Sequence, residues 1–392
     1  MSEYQAAKDV GIGYDNRDQI QEQKELGIGM LGRGFMCKAH TNAYKTIGYI
    51  FNANYIPRLV AIGASTVENA GFAAARYGYE KAYAGWEDMI KDPAVQVIDN
   101  VTPDNLHEQP CVDAARAGKH VICEKPMAEN RESAKRMLDA AVQANVKHAV
   151  SFNYRFFPAV RLAWELIQKG AIGDILHFYG RYFQPYGLPL EAPMEAVWYH
   201  NMSGTTQGLA SHLVDQARFL VGEFASIMGD VHIYTPLRAG RKVTLDDGMR
   251  AIVEFQTGAT GTLESLSLTH GRNNHLYWEI YGTRGSLVWD LENPTFLKVN
   301  LKDTAVPEVV GYTDVSVTEP EHPFMDSWWP RGHNIGWEHG HINLIAHFLD
   351  CVANDKDVAP YGATFEDGYR SEVVLDTLKE ASKAGKKLDI EF

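Results

Sequence analysis

The run Leu26-Gly-Ile-Gly-Met-Leu-Gly-Arg-Gly-Phe-Met-Cys37 divides into three parts. Leu26–Leu31 is an apolar strand, Gly32-Arg33-Gly34 a turn, and the residues from Phe35 through Ala39 to Tyr44 begin a helix. A literal G-x-G-x-x-G at Gly27, Gly29 and Gly32 would make the preceding strand Gln21–Leu26, which is too polar for the centre of a parallel sheet. The register that works is Gly32-Arg-Gly-Phe-Met-Cys37, with a strand before it and a helix after it. There Gly34 lets the backbone approach a pyrophosphate, which sits on the N-terminus of the helix. Cys37 stands where a third small residue is usual and is small enough for close helix–strand packing. Gly32, Arg33, Gly34, Phe35 and Met36 are therefore candidate dinucleotide-binding residues.

Outward from this turn, strand-like runs recur at Arg58–Gly63, Val95–Asp99, Lys119–Cys123 and Lys147–Ser151. Helical stretches at Asn69–Tyr77, Cys111–Ala117 and Arg131–Ala144 separate them. Strands alternating with helices over residues 26–150 predict an α/β domain, a Rossmann-type doubly wound parallel sheet. The second strand ends in Ala64-Ser65-Thr66, with no acid before Glu68 to hold the adenosine ribose. Ser65 tolerates a 2′-phosphate there, but no arginine follows immediately to pair with one. NAD is the expected cofactor, tightly retained in one reading, and NADP is not excluded.

After residue 151 the rhythm changes. One amphipathic helix, Ala159–Lys169, presents Val160, Ala163, Leu166 and Ile167 on one face. Strand-like runs then follow one another at 175–184, 227–234, 249–255, 260–268, 276–281 and 286–289, with a turn at Arg284-Gly285. Residues 151–392 are expected to form an α+β domain with a large open, mostly antiparallel sheet that binds substrate and supports oligomers. Helices at 343–352 and 365–384 end the chain, the last placed to pack back on the first domain. Residues 1–25 are polar and read as an arm.

Composition narrows the partners. Asp and Glu number 50 against 37 Lys and Arg, a formal charge of −13, which argues against nucleic acid and anionic membrane. The four cysteines form no C-x-x-C pair, so a disulfide scaffold is not expected and a reducing cytoplasm is the expected location. No apolar run approaches the ~18 residues of a membrane helix.

Glu124-Lys125-Pro126 follows a strand at the sheet edge where doubly wound folds bind ligands. Together with the Gly32–Gly34 turn, Val101-Thr-Pro-Asp-Asn-Leu-His107 and Asn153-Tyr-Arg155, it stands in the order and spacing of the Gfo/Idh/MocA oxidoreductases. The chain resembles that family from Leu26 to its C-terminus. The resemblance implies hydride exchange between NAD(P) and a sugar-like carbinol. It places Lys125 beside the nicotinamide and the reacting oxygen, with Thr102, Asn105, His107 and Glu124 along the nicotinamide side and Asn153 and Arg155 close by. The family's second domain carries an Asp and a His four apart on one helix. Here the helix Thr206–Leu220 keeps His212 and Asp215, but Gly208 stands where the carboxylate would be. A glycine inside a helix costs about 1 kcal/mol relative to alanine, so either a bulkier substrate or another side chain is expected in that space. His212 is then the expected general base, its ordinary pKa suiting neutral pH.

Two polar-aromatic clusters, Leu268–Asn274 and Tyr182-Phe-Gln-Pro-Tyr186, suit a sugar ring; they supply Tyr182, His270 and Asn274, with Arg155, as substrate candidates. The first is similar to a strand of levoglucosan dehydrogenases and fits glycoside 3-dehydrogenases. The expected reaction is oxidation of a hydroxyl, at C3, of a glucose-like sugar or glycoside to a keto sugar by a homo-oligomeric dehydrogenase. A cofactor-bound sugar sensor without turnover is the alternative. His339, His341 and His347 lack the H-E-x-x-H spacing, and no metal is expected. Trp328-Trp-Pro-Arg-Gly-His333 is expected either to roof the site or to pack on another subunit.

Overall fold

The computed structural model describes residues 23–193, 203–302 and 310–392. The expected arm lies outside the described residues, apart from Gln23–Glu25. The first sheet begins with β1 (Lys24–Leu31), which leads through the glycine turn into α1 (Phe35–Ile50). Then come β2 (Tyr55–Ala64), α2 (Val67–Tyr77), β3 (Lys81–Ala84), β4 (Val97–Asn100), α3 (Glu108–Arg116), β5 (His120–Cys123), α4 (Arg131–Gln143) and β6 (His148–Val150). All pairings are parallel and the spatial order is β3-β2-β1-β4-β5-β6, the dinucleotide-binding order. β1 is central because Leu26, Ile28 and Met30 are fully buried, each contributing roughly 1.5–3 kcal/mol of transfer free energy. Gly27 and Gly29 lie inside this strand, where a Cβ would meet Ala94 O at 1.7 Å and Val95 Cγ1 at 2.8 Å. They serve strand packing, and the turn begins at Gly32, whose φ of +115° favours glycine.

Local signals set the helix ends. Thr66 Oγ1 accepts from Asn69 N at 3.1 Å and Asn130 Oδ1 from Ser133 N at 2.9 Å, capping α2 and α4.

A short 3-10 turn, Asn153–Phe156, leads into α5 (Pro158–Gln168) and β7 (Ile175–Phe183). The helix expected at Thr206–Leu220 is two pieces, α6 (Gly204–Gly208) and α7 (Ala210–Leu220), which meet at Leu209. Next are β8 (Phe224–His232), the small hairpin β9 (Leu237–Arg238) with β10 (Arg241–Lys242), β11 (Gly248–Phe255), β12 (Thr260–Leu266), β13 (His275–Gly282), β14 (Gly285–Asp290), β15 (Phe296–Leu301) and β16 (Thr313–Ser316). α8 (Trp337–Ala353), α9 (Phe365–Ala384) and β17 (Leu388–Asp389) follow. The second sheet has nine strands in the order β16-β15-β14-β13-β7-β12-β11-β8-β17, antiparallel except where β12 joins β7. α5 and α7 cover one of its faces.

The C-terminal helices return to the first domain. Ile342, Leu344, Ile345 and Leu349 of α8 join Leu26, Ile28, Tyr44 and Ile47 in one apolar cluster. α9 carries Phe365 into the cluster on the sheet's other face. Thr364 and Asp367 begin α9 with a capping box, Asp367 Oδ2 accepting from Thr364 N at 2.8 Å. No helix among the described residues is long and apolar enough to cross a membrane.

Candidate active site

Two cavities meet at the glycine turn. The first, about 640 Å³, runs from Gly32, Arg33 and Gly34 past Ala64 and Ser65 to Trp86 and Asn105. The second, about 510 Å³, has walls from both domains, including Glu124, Lys125, Asn153, Tyr182, His212 and Asn274. Gly34, Val101 and Thr102 border both, so a single extended ligand can span them. The N-terminus of α1 opens at Gly34, where free N–H groups favour a phosphate.

Lys125 follows β5 and points its amine across the domain boundary. Nζ donates to the carbonyl of Gly208 at 3.1 Å, on the helix where a carboxylate was expected and is missing. Burial pushes the amine below the usual lysine range, against the pull of Glu124 and then Asp104. His212 stands on α7 in the opposite wall, its ring 4.5 Å from that of Tyr154, 5.8 Å from Tyr182 and 5.9 Å from Phe152. Burial, then Lys125 and His341, hold it well below the ordinary histidine value, so it is neutral and able to accept a proton.

The second-domain wall is a neutral network. Tyr154 and Tyr182 hydroxyls are 3.0 Å apart, and Tyr182 donates to Asn274 Oδ1 at 2.8 Å. Gln184 Nε2 donates to the same oxygen at 2.5 Å and to Tyr182 Oη at 3.1 Å. Behind Lys125 lies the opposite kind of arrangement. Glu124 faces His40 Nε2 at 3.2 Å, and His40 Nδ1 lies 2.9 Å and 3.1 Å from the two oxygens of Asp99. His40, Glu124 and His341 bring donor atoms within 4.8 Å of one another, but both nitrogens of His40 are committed to carboxylates.

Three wall residues carry buried polar atoms without a partner: Ser151 Oγ, Asn153 Nδ2 and both ring nitrogens of His341. An unpaired buried group costs roughly 1–3 kcal/mol, so these atoms suit a bound molecule, and with the glycine cradle they fit a dinucleotide.

Comparison with known proteins agrees. Residues 26–152 match the model for the oxidoreductase family with an NAD-binding Rossmann fold, and residues 160–288 the GFO/IDH/MocA C-terminal domain. Levoglucosan dehydrogenase of Pseudarthrobacter phenanthrenivorans is 35% identical over 94% of this chain and 98% of its own length. The chain belongs to the Gfo/Idh/MocA family of oxidoreductases. A levoglucosan dehydrogenase solved in complex with NADH and levoglucosan superposes with a TM-score of 0.89 at 34% identity, over 94% of this chain and all of that one. Glucose-6-phosphate 3-dehydrogenase of Bacillus subtilis is 22% identical over 93% of this chain and 98% of its own.

Within this family member, most of the expected residues converge. Gly32, Arg33, Ser65 and Asn105 line the first cavity, Phe35, Met36, Glu124, Lys125, Asn153, Tyr182, His212 and Asn274 the second, and Gly34 and Thr102 both. Three expected residues are not in the walls. Arg155, a substrate candidate, is buried in an ion pair: Nε lies 3.0 Å from both oxygens of Asp215, and Nη2 reaches Asp215 at 2.6 Å and Asp367 at 3.1 Å. His107 is buried behind the second cavity, its nitrogens facing the carbonyls of Pro126 at 3.0 Å and Thr102 at 2.9 Å. It props the loops that carry Thr102 and Lys125. His270 is exposed on the loop between β12 and β13; the strand expected at Leu268–Asn274 is that loop, and of its residues Asn274 lines the second cavity.

The Trp328 loop does not roof the site. Trp328 donates to Asn343 Oδ1 at 3.0 Å and packs on Phe51 and His339. Sequence reading missed Gln184, Tyr154 and His341 as wall residues. The alternation of β7 puts Gln184 on the side of Tyr182, which the pattern could have revealed. His341 stands on α8, more than 120 residues after the end of α7, and no local pattern marks it.

Proposed function

We propose that this protein is an NAD-dependent sugar dehydrogenase that oxidises a ring hydroxyl, at C3, of a glucose-like sugar or glycoside to the keto sugar. The observation that carries the reading is that Lys125, whose amine reaches Gly208, and His212, four residues further on, line one cavity with the Tyr154–Tyr182–Gln184–Asn274 network, a cavity that meets the glycine turn. Levoglucosan in the complex of the similar dehydrogenase supports a sugar ring as ligand.

Gly32, Arg33, Gly34 and Ser65, with Glu124 and Asn153, would hold NAD, which would supply the hydride acceptor. His212, neutral in its aromatic surroundings, takes the hydroxyl proton. The ammonium of Lys125 exchanges the Gly208 carbonyl for the substrate oxygen and steadies its developing negative charge. Tyr182, Gln184 and Asn274 hold the other ring hydroxyls through donors and acceptors that their mutual hydrogen bonds already orient. Exposed Met228, Ile252 and Tyr281 on the second sheet support self-association.

The test is turnover by the purified chain with NAD or NADP and a panel of levoglucosan, glucose and an aryl glucoside. Reduced nicotinamide absorbance with a 3-keto product by NMR is the expected result. Oxidation at another carbon overturns the C3 assignment. Cofactor and sugar binding without turnover would turn the reading to a sensor.

A further inference from the structure

Lys125 needs a counter-charge, and the helix that carries His212 does not provide one. The Rossmann side does. Three buried groups from three elements form one chain that ends at the backbone of Lys125: Asp99 at the end of β4, His40 on α1 and Glu124 after β5. His40 and Asp99 have no exposed surface and Glu124 has 4%. A neutral imidazole donates through one nitrogen only, whereas here both nitrogens face carboxylate oxygens, so the geometry calls for the imidazolium. Burial works against that charge, but Asp99 and Glu124 overcome it and raise His40 to about 10. Tyr44 donates to Asp99 Oδ2 at 2.8 Å and closes the far end. The second oxygen of Glu124 accepts the backbone N–H of Lys125 at 3.0 Å, which fixes the carboxylate against the residue it serves.

The other ionisable groups around Lys125 are differently employed. Asp104 accepts from the backbones of Asn105 at 2.9 Å and Ser203 at 3.2 Å. His212 and His341 are both held neutral by burial. We propose that His40 is a positioning residue of the reaction: bridging Asp99 and Glu124, it holds Glu124 as the counter-charge of Lys125 that no carboxylate on α6 provides. This rests on the role given to Lys125 in the dehydrogenase reading, but its test does not.

Competitive acetylation of the full chain, followed by peptide mass spectrometry across pH, reads the ionisation of Lys125 whether or not the protein turns over. In Glu124→Gln the midpoint for Lys125 is expected at least one pH unit lower than in the parent, because burial is then less opposed. A midpoint within 0.3 of the parent overturns the proposal, with the resolution of ~1 unit per neighbouring charge deciding the scale. Where turnover is found, His40→Gln is expected to lower kcat at least about tenfold with the KM for NAD within about twofold, a split that marks loss of orientation rather than of binding. In the Glu124→Gln background the same change is expected to add nothing. Independent, multiplying losses would make His40 merely structural. Should His40→Gln not fold, Asp99→Asn enters the same cycle, and the Glu124→Gln labelling stands alone. Absence of turnover with a shifted Lys125 midpoint sinks the dehydrogenase reading, and the role of His40 in the reaction with it, and leaves only Glu124 as the counter-charge of Lys125.

Discussion

Arg155 and Lys125 are both cations taken out of water near the junction of the two domains, and they are treated in opposite ways. Arg155 is enclosed by Asp215 and Asp367, with three contacts to Asp215 at 3.0 Å or less, and lies against the ring of Phe219. These carboxylates outweigh burial and raise its pKa. Lys125 has a carbonyl at 3.1 Å, and among the described residues no carboxylate pairs with its amine directly. Burial wins, and its pKa falls. A fully paired buried cation is a fastener; an under-paired one is available to a substrate. Arg155 ties the turn after β6 to α7 and α9, so its charge serves the packing of those three elements of the second domain.

The contrast is broken most sharply at Lys125. Lys125→Met is expected to lower kcat by roughly 10³, the loss typical of a main charge-stabilising donor, with NAD affinity and thermal midpoint unchanged. Steady-state kinetics beside a fluorescence titration of NADH checks it. Arg155→Met should do the reverse. It leaves Asp215 buried without its cation, at a cost of about 3–5 kcal/mol in denaturant unfolding, while the folded fraction keeps its kcat at low temperature. Equal loss of kcat and stability in both variants would erase the distinction.

The pH dependence separates the two cations further. The ammonium of Lys125 is lost as pH rises through a value below 10.5, so kcat for sugar oxidation is expected to fall on the alkaline side before that point. On the acid side, His212 stays neutral well below pH 6.5, which puts the acid limb lower still. The Arg155 cluster behaves otherwise. Asp367, pulled down by Arg155 and Arg218 against the effect of burial, contributes stability above its unfolded value. That contribution disappears only as pH falls through the still lower folded value. Stability from Asp367 should thus be flat across the alkaline range in which kcat bends, as thermal melts and rate profiles taken together would reveal. The smallest effect is the most instructive. Gly208→Asp gives Lys125 the kind of partner that Arg155 has, and the alkaline limb of kcat is expected to move up by about one unit with only a few-fold change in rate. An unmoved limb would mean that the side chain at 208 does not face the amine.

Sequence made one of these cations legible and misplaced the other. Lys125 sits in a local motif that follows an apolar strand, and its position at the sheet edge follows from that strand. Arg155 was also expected at the site, yet its partners are 60 and 212 residues away, and only the fold shows which way the guanidinium turns. Elements with strong periodicity were read closely: Phe365–Ala384 is a helix over the expected span, and the apolar strand before the glycine turn is β1. β3 was missed because Lys81–Ala84 is a half-exposed edge strand with no buried face to pattern it. The break at Leu209 escaped notice because α6 and α7 are buried on every side, which leaves no stripe to follow. Asp99, His40 and His341 were invisible as a group, since hydrogen bonds between distant elements leave no spacing in the chain.

The return of α8 to the first domain has a consequence for inheritance and synthesis. Residues 26–150 look like a portable cofactor module, yet Trp337 and His341 complete the second cavity, and the helix that bears them covers Leu26, Ile28 and Ile47. A ribosome that has released the first 150 residues has made a sheet with one side bare and a pocket lacking a wall. The unit that can be exchanged between relatives is therefore discontinuous: the first domain travels with residues 337–353, or it arrives incomplete.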